Sequence, residues 1–395
     1  MISKRVRELK ESSTLKVNAL VNRLKAEGKE VFNLTAGEPD FPPPEESKKA
    51  VIEAVAKNLS KYTPTAGIPE LRDLIAARTN ASQPSVAAQS PWSGADVVVC
   101  NGGKQAIFNA VFALVDEGDE VIFGAPFWLS YPEMVKAAGG TSVVIPTDAE
   151  AGYRISPAQL EGAITPKTKL LILNSPSNPT GAVYSLAELQ SLGAVLDRHP
   201  GVWVLSDEIY DRIEFKKGAW TSFLEANPRL RERTVTVNGL SKSGAMTGWR
   251  VGWSVTPKAL TPALISLQGH STSGICSLSQ AAAVASLKLP PGNFEPQRLE
   301  YLHRRNLALE VLKKSAKIKV YEPEGAFYLF VDCARLLRDG QDANGLAERI
   351  LQETKVAVVS GVDFGAPRCI RISFATDEAT LLEGVRRLVR YFDSL

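Results

Sequence analysis

The chain has 395 residues, of which 44% are hydrophobic and 23% charged. That is enough to bury a core in two units of ordinary domain size, about 100–150 residues each, and it excludes a wholly disordered chain. With 46 basic against 43 acidic residues and a net charge of +3, no basic footprint for nucleic acid stands out. No run approaches the roughly 20 apolar residues of a membrane span.

Cys100, Cys276, Cys333 and Cys369 lie far apart and form no CxxC pair. Free thiols in a reducing, cytoplasmic compartment are the simpler reading than a zinc site or a disulfide framework. The N-terminal MISKRVRELKESS lacks the apolar stretch of a secretory signal.

In chain order, residues 45–59 carry apolar Val51, Ile52, Val55 and Leu59 at helical spacing. A second helix is expected from Ile68 to Thr79, with Pro69 in its first turn. The Ser-, Ala-, Gln- and Pro-rich stretch 80–95 reads as a surface loop. Strands are then expected at 96–100, 120–123, 141–145, 169–173, 202–205, 234–237 and 251–255. Helices fall between most of them, for example at 105–115 and 186–197. Several of these strands are apolar on both alternations, which suits a sheet covered on both faces. The expected architecture is α/β, with a large, mostly parallel sheet sandwiched by helices over residues 45–290. After Leu289-Pro290-Pro291-Gly292 the character changes to a long helix at 297–314 and strands at 325–331 and 369–374. Residues 1–44 and 291–395 are read together as a smaller α+β domain.

Ligands of open parallel sheets bind at the carboxyl ends of the strands, and five segments there carry unusual polar residues. Asn101-Gly102-Gly103-Lys104 fits an anion cradle at a helix N-terminus, and equally a tight turn. The loop Asn174–Gly181 (NSPSNPTG) is stiffened by two prolines, with Asn178 either a cap or a ligand group. Asp207 in SDEIY would be half-buried at a strand end, where a carboxylate needs a cationic or N–H partner. It reads as a helix cap or as the partner of a protonated ring nitrogen. Lys242, after the strand TVTV, is either a solvated lysine or one with a depressed pKa that forms a Schiff base. Arg250, eight residues on, suits phosphate. Arg371 alternates with apolar residues in CIRISF, either snorkelling at an edge or forking a carboxylate. Together these parts are what pyridoxal 5'-phosphate requires.

Along essentially its whole length the chain resembles the class I, fold-type I pyridoxal-phosphate-dependent aminotransferases, and most of all the bacterial aspartate aminotransferases. The resemblance rests on NLTAGEPDF, YTPTAGIPELR, NGGKQAIFNA, PFWLSYPEM, NSPSNPTGAVY, SDEIY, SKSGAMTGWRVGW and IRISFAT. It implies that Lys242 binds the cofactor aldehyde as an imine and shuttles the substrate proton. Asp207 is implied to pair with the pyridine nitrogen, Tyr210 and Asn178 to bond the phenolic oxygen, and Trp128 to stack on the ring. Phosphate contacts are implied from the N–H groups of Gly103 and Lys104, from Ser241 and from Arg250. Tyr62 is implied to reach the phosphate of a neighbouring subunit, hence a homodimer with shared sites.

The same resemblance assigns Gly37 and Arg371 to the substrate α-carboxylate. Lys104 and Thr14 resemble the pair that holds a distal carboxylate, with Ser271 or Ser273 assisting from the partner. Lys10 falls where some members carry a lysine linked to prephenate, and it reads also as a solvated lysine. The implied reaction is ping-pong transfer from L-aspartate, or another acidic amino acid, to 2-oxoglutarate. The alternatives are an aspartate/glutamate–prephenate, aromatic or kynurenine aminotransferase, or a carbon–sulfur β-lyase. A silent ligand-binding regulator is disfavoured by intact Lys242, Asp207 and Arg250. A nucleotide-dependent dehydrogenase lacks its glycine fingerprint.

Overall fold

The computed structural model describes residues 2–10, 13–338 and 340–395; some side chains near the N-terminus, that of Thr14 among them, lie outside the described set. Seven strands form the large sheet: β1 (Val97–Asn101), β2 (Glu120–Ala125), β3 (Thr141–Pro146), β4 (Thr168–Asn174), β5 (Trp203–Asp207), β6 (Thr234–Gly239) and β7 (Val251–Val255). Their spatial order is β1-β7-β6-β5-β4-β2-β3. Only β7 runs against its neighbours, β1 and β6; the other pairings are parallel.

The apolar runs of these strands have a two-sided cause. Val97, Val99, Leu171 and Val204 bury on one face, and Val98, Cys100, Leu170 and Leu205 on the other. Helices Pro69–Ser82, Leu186–Asp197 and Ser277–Leu287 pack on the first face, and Gly103–Leu114, Ser130–Ala138 and Thr261–Gly269 on the second. Local chemistry sets their ends. Ser185 and Glu188 form a reciprocal capping box at Leu186. Gly139 takes a left-handed φ of 92° to stop the helix Ser130–Ala138.

The expected surface loop at 80–95 is corrected by the structure. The second helix runs on to Ser82, a short helix spans Pro84–Gln89, and Gln83, Val86 and Trp92 are buried. Gln83 is the reason. Its amide nitrogen donates to Ser222 Oγ at 2.9 Å, while its amide oxygen accepts from Trp92 Nε1 at 2.9 Å. A polar residue with both ends satisfied can enter a core, and composition alone does not reveal the partners.

A second sheet of four antiparallel strands has the order Val359–Ser360, Cys369–Ser373, Tyr328–Asp332, Lys319–Tyr321. Its core includes residues of helices Glu295–Leu312, Ala343–Thr354 and Glu378–Ser394. Phe32–Asn33 pairs in parallel with Val356–Ala357, and Leu34 buries in the same core. Tyr210, Ile213 and Phe215, which follow β5, join it as well. Among the described residues no helix is long and apolar enough to cross a membrane.

Candidate active site

The carboxyl ends of five parallel strands supply one cavity. Lys104 follows β1, Trp128 follows β2, Asn178 follows β4, Asp207 ends β5 and Lys242 follows β6. The reversed direction of β7 brings its amino end to the same edge, which places Arg250 there too. The cavity has a volume of about 430 Å³, within the usual range for small-molecule sites. Lys104, Lys242, Arg250 and Arg371 line it against two carboxylates, Asp207 and Glu38. The excess of cations suits an anionic ligand.

Asp207 is 4% exposed. Burial pushes its carboxyl up to about 6, against the pull of a hydrogen bond from Tyr131, the Ile209 N–H and the Lys242 charge. A carboxylate held so far from water is stabilised by a cation arriving in the cavity. Lys242 is part-buried, and its ammonium donates to the Gly37 carbonyl. Loss of water around it lowers its pKa to about 8; Glu38 opposes that, while Arg371 and Arg250 add to it. About a tenth of the amine is therefore uncharged at pH 7, far more than in an ordinary lysine, and that fraction is the nucleophile.

At the first turn of helix Gly103–Leu114 the amides of Gly103 and Lys104 have no preceding turn to donate into. Gly102 precedes them at φ 83°, and a Cβ there would sit 2.6 Å from Arg250 Nη2. Gly252 is needed for a similar reason, because its Cβ would fall 2.2 Å from the Gly103 nitrogen. Two backbones and a guanidinium thus meet where side chains would intrude. Arg250 donates to the Thr247 and Asn101 carbonyls at 2.7 and 3.1 Å, and Ser241 lines the same cavity.

The opposite wall comes from the second sheet. Strand alternation turns Ile370 and Ile372 into its core and leaves Arg371 on the other face. Arg371 is 2% exposed. It donates to Asn178 Oδ1 at 2.9 Å and to the Thr35 carbonyl at 3.0 Å, and its buried Nε has no partner among the described residues. Its guanidinium lies 4.3 Å from the centre of the Tyr328 ring. The Tyr328 hydroxyl is 2.9 Å from that of Tyr210. Gly37 lines the cavity beside this arginine, and the Lys104 ammonium lies 5.0 Å from the centre of the Trp128 ring.

Two expected residues do not line the cavity of this chain. Tyr62 is fully exposed. Lys10 is exposed, and its backbone N–H donates to Glu133 Oε2 at 2.8 Å. The Thr14 side chain lies outside the described residues. Ser271 and Ser273 are also absent from the lining. Conversely, the sequence reading passed over Tyr131 and Tyr328. Tyr131 sits three residues after Trp128 in PFWLSYPEM, a spacing that shares a helix face and was the available signal. Nothing local marks Tyr328.

This geometry has counterparts. Residues 29–388 match the family model described as aminotransferase class I and II. The aspartate/prephenate aminotransferase of Cereibacter sphaeroides is 40% identical, over 98% of this chain and 97% of the relative. The aspartate aminotransferase of Geobacillus stearothermophilus is 39% identical, over 100% and 99%. A solved aspartate aminotransferase of Thermus thermophilus with maleate superimposes with a TM-score of 0.92 at 39% identity, covering 99% of each chain. The chain belongs to the class I and II aminotransferase family. It is thus a pyridoxal-phosphate-dependent enzyme of the fold-type I architecture. The donor set fits that cofactor: an amine of lowered pKa, a buried carboxylate short of a cation, a phenol and an amide, and a helix N-terminus beside an arginine.

Proposed function

We propose that this aminotransferase moves the amino group of L-aspartate, or another acidic amino acid, to 2-oxoglutarate. The carrying observation is the convergence of Lys242, Asp207 and Arg371 on one cation-rich cavity. Two relatives named for aspartate, and a structural neighbour solved with the dicarboxylate maleate, support the acidic substrate. Pyridoxal phosphate, when bound, supplies an aldehyde for the amino group and a ring that withdraws electrons from the neighbouring carbon.

The residues then divide the work. Lys242 would hold the cofactor through its amine and, when free, would take the proton from the substrate Cα. Asp207 keeps the ring nitrogen protonated. Tyr210 and Asn178 donate to the ring's oxygen, and Trp128 covers its face. The amides of Gly103 and Lys104, with Ser241 and Arg250, bind the phosphate. Arg371, with Gly37 beside it, receives the α-carboxylate, and its partnerless Nε supports that role. The Lys104 ammonium receives the distal carboxylate.

A homodimer with shared sites is part of the same reading. Tyr62 is 100% exposed, close in sequence to exposed Ile52, Val55 and Leu59, and a partner's phosphate and apolar surface would account for them. Sedimentation would give the mass of a dimer; a monomer with full activity would refute shared sites. The domain division 45–290 against 1–44 with 291–395 is proposed on the two separate sheets, with the strip around Tyr210–Phe215 shared. A cytoplasmic location is proposed from four free cysteines.

The test is a set of single half-turnovers of the cofactor-loaded protein with L-aspartate, L-glutamate, L-phenylalanine and L-alanine, followed by visible absorbance. Fast conversion by the two acidic amino acids alone is expected. Preference for phenylalanine or alanine, or release of ammonia and pyruvate from a sulfur amino acid, would overturn the substrate. The name of the Cereibacter relative supports a second acceptor, and rapid back-reaction with prephenate would establish it.

A further inference from the structure

Asp207 is gripped from outside its own strand. Tyr131, 2% exposed on helix Ser130–Ala138, donates its phenol hydrogen to Asp207 Oδ2 at 2.6 Å. Among the described residues the other oxygen, Oδ1, accepts only the Ile209 N–H, at 3.3 Å. The Tyr131 ring cannot easily leave. Trp128 meets it edge-on at 5.4 Å between centroids, and Phe123 is tilted against it at 6.0 Å. The same Trp128 lines the cavity, so one turn of chain carries both a cavity wall and the anchor of the carboxylate.

We propose that Tyr131 is a positioning residue for the transamination: its phenol caps one oxygen of Asp207 and leaves Oδ1 presented to the cavity for the ring nitrogen. This rests on the assignment of Asp207 to that nitrogen. The hydrogen bond acts twice. It fixes the rotation of the carboxylate, and it favours the charged form that the ring nitrogen needs, in opposition to burial. The other ionisable groups facing Asp207 are Lys242, whose charge favours the anion, and Tyr210, a neutral neighbour; Arg371 acts on it through Lys242.

The test compares the full chain with Tyr131→Phe, which keeps the ring packing, and with a chain carrying 3-fluorotyrosine at position 131, a stronger donor. In cofactor-stripped protein, proton uptake by Asp207 is followed by its carboxyl infrared band, assigned by difference from Asp207→Asn. Affinity for added pyridoxal phosphate is measured alongside. The Phe variant should take up its proton about one to two pH units higher, as expected for loss of a charged hydrogen bond. Its cofactor affinity should fall on the order of tenfold, from the weakened charge and orientation. The fluorinated chain should shift the proton uptake in the opposite direction. An unchanged uptake pH in either chain overturns the proposal. Undiminished cofactor affinity in Asp207→Asn would instead overturn the ring-nitrogen assignment, while the Tyr131 shift would still be read independently.

Discussion

The two walls of the cavity are built by different rules. On the large-sheet wall, the functional groups gather at strand ends: Asp207 closes β5, Lys104 sits in the first helical turn after β1, and Asn178 and Lys242 lie in the segments after β4 and β6. On the facing wall, Arg371 sits in the middle of an antiparallel strand, fully inside the protein. The first wall gathers groups for a cofactor because parallel strands end together. The second offers a single rigid cation because strand alternation leaves one position facing the cavity. On the proposed reading, the first wall binds the cofactor and, through Lys104, the distal carboxylate, while the second holds the α-carboxylate.

Removing the central group of the first wall should have the largest effect. Lys242→Ala should lower turnover by on the order of 10⁴-fold and abolish the visible absorbance; a variant that still turns over would break the reading. On the facing wall, Arg371→Lys should lower kcat/KM for aspartate by about 10²–10³-fold, because a lysine cannot reproduce a buried fork. Its visible absorbance should persist. If that absorbance vanished instead, the separation of the two walls would be wrong. Arg250→Gln should weaken cofactor retention by roughly tenfold to a hundredfold, measured by dialysis, with little change in the amino-acid KM once cofactor is saturating. The smallest effect is expected at the rim: Lys104→Met should cost about tenfold in kcat/KM for aspartate and leave alanine unaffected.

The first wall also predicts a pH dependence. Lys242 has a folded-state pKa of about 8 against an ordinary 10.5. Between those values the unfolded chain holds more protons at this position. This group therefore adds stability to the cofactor-stripped protein as pH rises from about 8 towards 10.5, and removes it as pH falls back. Recapture of cofactor, which needs the free amine, should accelerate up to about pH 8 and then level off. A rate that keeps rising about tenfold per pH unit through pH 9 would show that water still reaches the amine and that its pKa is not lowered.

The first wall was legible because each group belongs to a contiguous motif: NGGK, NSPSNPTG, SDEIY and SKSGAMTGWR all occupy strand-to-loop junctions. Arg371 was visible as a lone charge in an apolar strand, but its partners were not. Asn178 lies 193 residues away and Thr35 even further. The stretch 80–95 was misread for the same reason. Gln83 and Trp92 look polar or isolated in sequence, and they are core because Ser222 and their own pairing satisfy them.

By itself, then, the sequence determined the alternating elements, the order of the cofactor loops and the chemical type of each group at a strand end. Those follow from local periodicity and from residues adjacent along the chain. The tertiary structure decided which carboxylate oxygen is capped by Tyr131, that Tyr210 meets Tyr328, and that Lys242 titrates near 8. Each depends on how much water distant segments exclude and which donors they bring. Desolvation and hydrogen bonding act through space, and only the folded chain brings residues 37, 131, 207, 328 and 371 to one place.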